Sequence, residues 1–232
     1  MRKRILFHFH TYHSIDSNLM PQEIVDFAVQ NKIDILAPTD HSAIRGSRDI
    51  RELAQPHGIE TIIGAEYNSD HGDIIGLFLQ DDAYSCNAAE IIQEIHSQDG
   101  LAVLPHPYRS HHLTDEFLNS FDGIEIFNAR LPEQLNRLAG ELAAMLKKPV
   151  YFGVDAHLRE ELGLVVAEIE IAANEPLINA VRRGLFPVSL TQTTPAMIHR
   201  SRMIASAKRG TPMRYLRSMA KMISARIKGA TL

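Results

Sequence analysis

Short apolar runs alternate with helix-like segments along this chain, and nearly every run ends in histidine, aspartate or glutamate. ILFHFH closes on His8 and His10, and APTDHS carries Asp40 and His41. IIGAEY supplies Glu66, HGDIIG begins at Asp73, and VLPHPYR holds His106. GIEIFN adds Glu125 and Asn128, and FGVDAH ends on Asp155 and His157. One polar strand end is ordinary, because strands must end somewhere. Recurrence along one chain demands more: a fold in which the ends of many strands meet. Parallel barrels and sheets do this, gathering distant residues at the C-terminal ends of their strands.

The segments between the runs fit that demand. PQEIVDFAVQNK has proline near a helix start, RDIRELAQ reads as a second helix, and AAEIIQEIHSQ as a third. EQLNRLAGELAAMLKK combines good helix formers with apolar spacing near 3.6. DILAPTDH and TIIGAEY each read as one strand, and NSDHG as the turn leading into DIIGLFLQ. Strand–helix repetition of this kind predicts an α/β fold with a largely parallel sheet.

Composition sets the outer bounds. The 232 residues are 45% hydrophobic and carry a net charge of −4, enough for one sizeable core. No apolar stretch approaches bilayer-spanning length, and the ILF behind MRKR is too short for a signal-peptide core. The lone Cys86 excludes an intrachain disulfide and a multi-cysteine metal site. A cytoplasmic protein is the expectation.

Charge is unevenly spread. Of the 24 Lys and Arg, eleven lie from Pro176 onward, where there is no Asp or Glu; the other thirteen face all 28 acidic residues. Within that basic end, Met213, Leu216, Met219, Ile223 and Ile227 recur at helical spacing among Arg214, Arg217, Lys221, Arg226 and Lys228. This predicts an amphipathic basic helix after a break at Gly210-Thr211-Pro212, able to meet the acidic body, a nucleic acid or a membrane surface.

In a strand, alternate residues share a face, so His8 and His10 are expected to point together while Ile5, Phe7 and Phe9 point the other way. A mixture of imidazole and carboxylate donors suits zinc, manganese or iron better than calcium or a cysteine-zinc site. His13, His111 and His112 read as solvated loop residues, and His57, His96 and His199 as surface or helix residues.

In order along the chain, His8-x-His10-Thr11 with Ser14 and Asp16, Thr39-Asp40-His41, Gly64-Ala65-Glu66, His106-Pro107, and Asp155-Ala156-His157 followed by Gly163 resemble the motifs of the PHP family of metal-dependent phosphoesterases. The resemblance runs from about residue 5 to 165 and implies a distorted (β/α)7 barrel with two or three divalent metals at its strand ends. It implies His8, His10, Glu66 and Asp155 as the first metal site. By the same resemblance Asp16, His41 and His157 would form the second, with Glu66 bridging, and His106 with Glu66 would hold a third. Two departures stand out. Relatives often begin Asp-Leu-His where this chain has Leu6-Phe7-His8, and many carry histidine where this chain has Asp73.

The expected chemistry is hydrolysis of a phosphate ester of a small metabolite, nucleotide or oligonucleotide end by water activated between metals. His106 or His157 is placed to protonate the leaving group, and Asp40 to orient His41. Arg109, just past His106-Pro107, is the first candidate for the substrate phosphate, with Arg130 and Arg45 behind it. A PHP hydrolase domain is expected over 1–195 and a basic helical extension over 196–232. The alternatives are amide or lactone hydrolysis at the same site, and a nucleic-acid or membrane adapter using the basic end.

Overall fold

Apolar runs form the inner strands here, and the helices between them lay one apolar stripe on the sheets. The computed structural model describes residues 1–229. Its elements begin β1 (Arg2–Phe7), α1 (Pro21–Gln30), β2 (Ile35–Ala37), β3 (Asp40–His41), α2 (Arg45–Ala54), β4 (Glu60–Thr61), β5 (Gly64–Ser69) and β6 (Gly72–Leu77). They continue with α3 (Ala88–Ser97), β7 (Leu101–Leu104), α4 (Asp115–Asn119), β8 (Gly123–Asn128), α5 (Glu133–Leu146) and β9 (Val150–Gly153). The last are β10 (Val165–Glu170), α6 (Leu177–Arg182), β11 (Phe186–Leu190), α7 (Pro195–Lys208) and α8 (Pro212–Gly229).

The strands lie in two sheets, ordered β11-β10-β1-β2-β4 and β3-β5-β6-β7-β8-β9. Both are mixed, not largely parallel as the strand–helix rhythm predicts. β6 runs antiparallel to β5 and β7, and β10 antiparallel to β1 and β11. For β5 and β6 the cause is connection length. A parallel crossover needs roughly a dozen residues or more, whereas only Asp70 and His71 separate β5 from β6.

The two runs expected as single strands are each divided between the sheets. In DILAPTDH, β2 pairs with β1 and β4, while β3, past Pro38-Thr39, pairs with β5. In the next run β4 stays with β2, and β5 joins the other sheet. The sheets meet again where Phe9 bridges Ala156, with Val154 N–H donating to Phe7 O at 3.0 Å and His10 N–H to Ala156 O at 2.8 Å. The strands thus form two mixed sheets joined at their edges.

α1 buries Pro21, Ile24, Val25 and Ala28, and α3 buries Ala88, Ile91, Ile92 and Ile95. Phe7 and Tyr151 pack at 5.5 Å between ring centres in the larger core cluster. Each such side chain contributes about 1.5–3 kcal/mol by leaving water. α7 starts under a Thr194 cap with Pro195 in its first turn, and the expected break at Gly210-Thr211 separates it from α8, against which it packs. The side chains of Tyr215 and of residues beyond Ile223, including Arg226, Ile227 and Lys228, lie outside the described residues. Among the described residues, no helix is long and apolar enough to cross a membrane.

Candidate metal centre

The eight expected ligands converge, but not quite by the expected route. β1 ends at Phe7, so His8 and His10 lie beyond the strand, and simple alternation does not aim them. His8 adopts φ 60°, His106 29° and Asp155 49°, all in the left-handed region that side chains other than glycine avoid. Backbone strain of this kind costs on the order of 1–3 kcal/mol per residue and is kept where surrounding structure over-determines it. The restraint is visible. Asp155 N–H donates to His8 O at 2.5 Å, and His106 N–H to Glu125 Oε2 at 2.9 Å.

His10 Nε2 lies 3.3 Å from Asp155 Oδ1 and 3.6 Å from Glu66 Oε2, and His8 Nε2 lies 3.6 Å from Glu66 Oε1. Glu66 also reaches His106 Nε2 at 3.0 Å and His41 Nδ1 at 3.2 Å, so one buried carboxylate touches both halves of the site. Asp16 sits 3.1 Å from His157 Nε2 and 3.4 Å from His41 Nε2. Three groups of donor atoms gather within 4.8 Å: His8, His10 and Asp155; His8, Glu66 and His106; and His10, His41 and His157. His10 therefore faces both expected sites.

Glu125, read from sequence only as a strand end, holds the site from behind. Its Oε1 takes the Nδ1 proton of His8 at 2.6 Å, and its Oε2 accepts from Asn128 Nδ2 at 3.0 Å. That bond sets the tautomer and leaves His8 Nε2 free to face the centre. A carboxylate behind a ligating imidazole orients it and raises its basicity.

Asp40 does not bond His41 as expected. It is fully buried and accepts from Thr11 N, Thr11 Oγ1 and Ser14 Oγ at 2.7, 2.6 and 2.5 Å, which pins the loop after β1. Ser14 Oγ in turn lies 3.4 Å from His10 Nδ1 and accepts from His41 N–H at 3.1 Å. Arg109 extends a half-exposed guanidinium to Asp155 Oδ2 at 3.3 Å. Arg130 departs from the sequence reading. Its side chain is 6% exposed and committed to Glu161 at 3.3 Å, Ser201 Oγ at 2.5 Å and the region of His157 Nδ1 at 2.9 Å. It has no free face for a substrate phosphate.

His13 pairs with Asp49 at 2.8 Å, away from the donor groups. His111 is only partly exposed; it is wedged beside Gly72, within 3.0 Å of both Arg109 O and Asp73 O. His71 turns toward His112 and Phe117, and Asp73 bonds Asn68, so neither joins the donor groups among the described residues.

Burial opposes charge on His8, yet Glu125, Asp155 and Glu66 outweigh it and raise its pKa well above the usual range. For His41, burial is likewise outweighed by Asp16 and Glu66, and its pKa rises to about 11. His10 goes the other way: burial, then His157 and His41, push it down to about 3. Glu66 and Asp155 stay below the usual carboxylate range despite burial, because His8 and its neighbours favour their charge.

Four buried polar atoms here find no hydrogen-bond partner: His8 Nε2, His10 Nε2, His106 Nδ1 and Asp16 Oδ1. Leaving such an atom unpaired costs about 1–3 kcal/mol, and four at one centre are out of keeping with a purely packing role. Imidazole lone pairs and carboxylates are the donors that zinc, manganese and iron take. The residues fit divalent metals.

Histidine and carboxylate donors brought to strand ends, with unpartnered nitrogens aimed inward, define a metal-binding α/β protein. Residues 7–175 match the PHP domain model, and the chain belongs to that family. It is 39% identical over 118 residues to an uncharacterized protein of Methanocaldococcus jannaschii, covering 49% of this chain and 69% of that protein. PsfC from Pseudomonas syringae superposes with a TM-score of 0.65 at 16% identity, over 94% of this chain and 98% of the other. A provisionally named metal-dependent phosphoesterase from Bifidobacterium adolescentis gives 0.56 at 15% identity, over 67% and 88%. An amidohydrolase from Chromobacterium violaceum, solved with sulfate and no metal, gives 0.54 at 17% identity, over 66% and 87%.

Proposed function

We propose that this protein is a metal-dependent phosphoesterase acting on a small phosphorylated metabolite, a nucleotide or an oligonucleotide end. The observation that carries the reading is the set of buried, unpartnered imidazole nitrogens converging on Glu66 and Asp155, with the Arg109 guanidinium at the rim. His8, His10, Glu66 and Asp155 would hold one metal and Asp16, His41, His157 and Glu66 a second, with His106 and Glu66 offering donors for a third. Such metals supply Lewis acidity toward phosphoryl oxygens and a nucleophile at neutral pH.

The chain's own residues do the rest. Arg109 binds the substrate phosphate, and its bond to Asp155 keeps it extended over the site. Whichever of His106 and His157 is not committed to metal passes a proton to the leaving oxygen. Glu125 keeps the His8 Nδ1 proton in place, and Asp40 holds the loop that carries Asp16.

A phosphate-release screen over monoesters and diesters, run with manganese, zinc and iron, tests the reading. Turnover that His10→Ala abolishes together with metal content is expected. Absence of bound metal after expression with all three would end it. The likeness to an amidohydrolase gives a specific rival. Turnover of amides or lactones and of no phosphate ester would replace the phosphoesterase by an amide or lactone hydrolase on the same residues.

A further inference from the structure

The loop between β1 and α1 carries Asp16, and its carbonyls converge on one cation. Lys208, at the end of α7, donates to the backbone oxygens of Tyr12, Ser14 and Ser17 at 2.8, 2.8 and 2.7 Å. An ammonium has three donors and no acceptor, and all three are used here. The lysine stands 191 to 196 residues from its partners in sequence. It comes from the basic end of the chain, which the sequence alone marks as a basic helical extension.

The rest of α7 is fastened to the opposite wall of the same half-site. Ser201 accepts from Arg130, whose guanidinium also meets Glu161 beside His157, and Arg200 pairs with Glu160 at 2.8 Å. Just ahead of α7, Thr193 Oγ1 donates to Glu161 at 2.7 Å. One helix therefore grips the loop bearing Asp16 at its last turn and the segment bearing His157 along its middle.

We infer that Lys208 is a positioning residue for the second metal site: by capping the carbonyls of the loop after β1, it holds Asp16 in register with His41 and His157. This rests on the metal-dependent reading proposed above. The first site does not depend on it in the same way. The loop touches His10 through Ser14 Oγ and Ser17 Oγ, but His8 and His10 have their own backbone bonds to Asp155 and Ala156, and Glu66 lies within β5. Without the ammonium, three carbonyl dipoles face one another uncompensated, and the loop must relax. Asp16 sits on that loop, so it is the ligand this relaxation displaces.

The test is manganese binding to the full-length protein, followed by calorimetry and by electron paramagnetic resonance. Wild type is expected to bind two ions with a spin-coupled spectrum. Lys208→Met should keep the tighter ion, weaken the other by about 10- to 100-fold and show the uncoupled spectrum of a lone ion at sub-saturating metal. Lys208→Arg, which retains cationic donors, should restore most of the second affinity and the coupling. In turnover, Lys208→Met should need more manganese but approach wild-type kcat at saturation. Equal affinity at both sites and intact coupling in a folded Lys208→Met protein would overturn the inference. So would equal loss at both sites. If Lys208→Met does not fold, Lys208→Gln, a shorter neutral side chain that keeps an N–H donor, carries the same comparison. Wild type that binds none of manganese, zinc and iron would instead overturn the metal-dependent reading itself.

Discussion

At the scale of single residues, the arrangement turns on which imidazole nitrogen is left free. Glu125 accepts the Nδ1–H of His8, so Nε2 is the nitrogen that faces Glu66 and Asp155. Glu125→Gln preserves shape but removes the charge behind His8, and should weaken metal binding by roughly 10- to 100-fold. Competition with a chelator measures this, and unchanged affinity would show the carboxylate to be a packing group. Arg109 makes a different prediction. Its charged bond to a phosphate is worth about 1.5–3 kcal/mol, so Arg109→Ala should lower kcat/KM by roughly 10- to 150-fold, mostly through KM. Steady-state kinetics that leave KM untouched would remove Arg109 from substrate binding. The ligand residues could be read from sequence because their types and order are distinctive. Glu125 could not, since nothing local distinguishes a carboxylate supporting a ligand from one that simply ends a strand. Arg130 was misread for the matching reason: burial, which sequence does not show, decides whether a guanidinium is free.

At the scale of elements, β9 shows how tightly the site is built into the sheet. A Cβ placed on Gly153, its last residue, would lie 1.7 Å from Glu125 Oε1. Gly153→Ala must therefore push Glu125 off His8. Overpacking of this kind costs about 1–3 kcal/mol, seen as a lower melting temperature without metal. The variant should also lose most of the stabilisation that added metal gives wild type. A full metal-induced shift in Gly153→Ala would mean that Glu125 tolerates displacement. The positions of most strands and helices were legible because apolar runs and helical periods are local signals. The division of DILAPTDH and TIIGAEY between two sheets was not. A run buried on both faces carries no mark of where its hydrogen-bond partners change. α7 left little trace for another reason: the side chains it buries are Ser201 and Ser206, and it is attached by polar bonds in place of an apolar stripe.

At the scale of the whole molecule, the site makes stability depend on protons and metal together. His10 has a folded pKa of about 3, against roughly 6.5 when unfolded. Between those values the unfolded chain binds a proton that the folded chain refuses, so the metal-free fold loses stability as pH falls from about 6.5 toward 3. Glu66 and Asp155, held below their usual range, add to the loss as pH drops through the carboxylate region. His41 works in the opposite sense. Its folded pKa of about 11 gives stability that is complete below its unfolded value and disappears as pH rises through 11. At pH 7 the metal-free site therefore holds protons on His8 and His41, balancing its buried carboxylates, while His10 is already neutral. Metals require neutral imidazoles, so loading must expel those two groups' protons. Calorimetric metal titrations at pH 7 in buffers of different ionisation enthalpy should report release of roughly two protons per fully loaded chain. Metal affinity should fall as pH is lowered, because protons compete for the same lone pairs. Loading that releases no protons would mean that His8 and His41 are not both displaced by metal, and would break the assignment of the two half-sites.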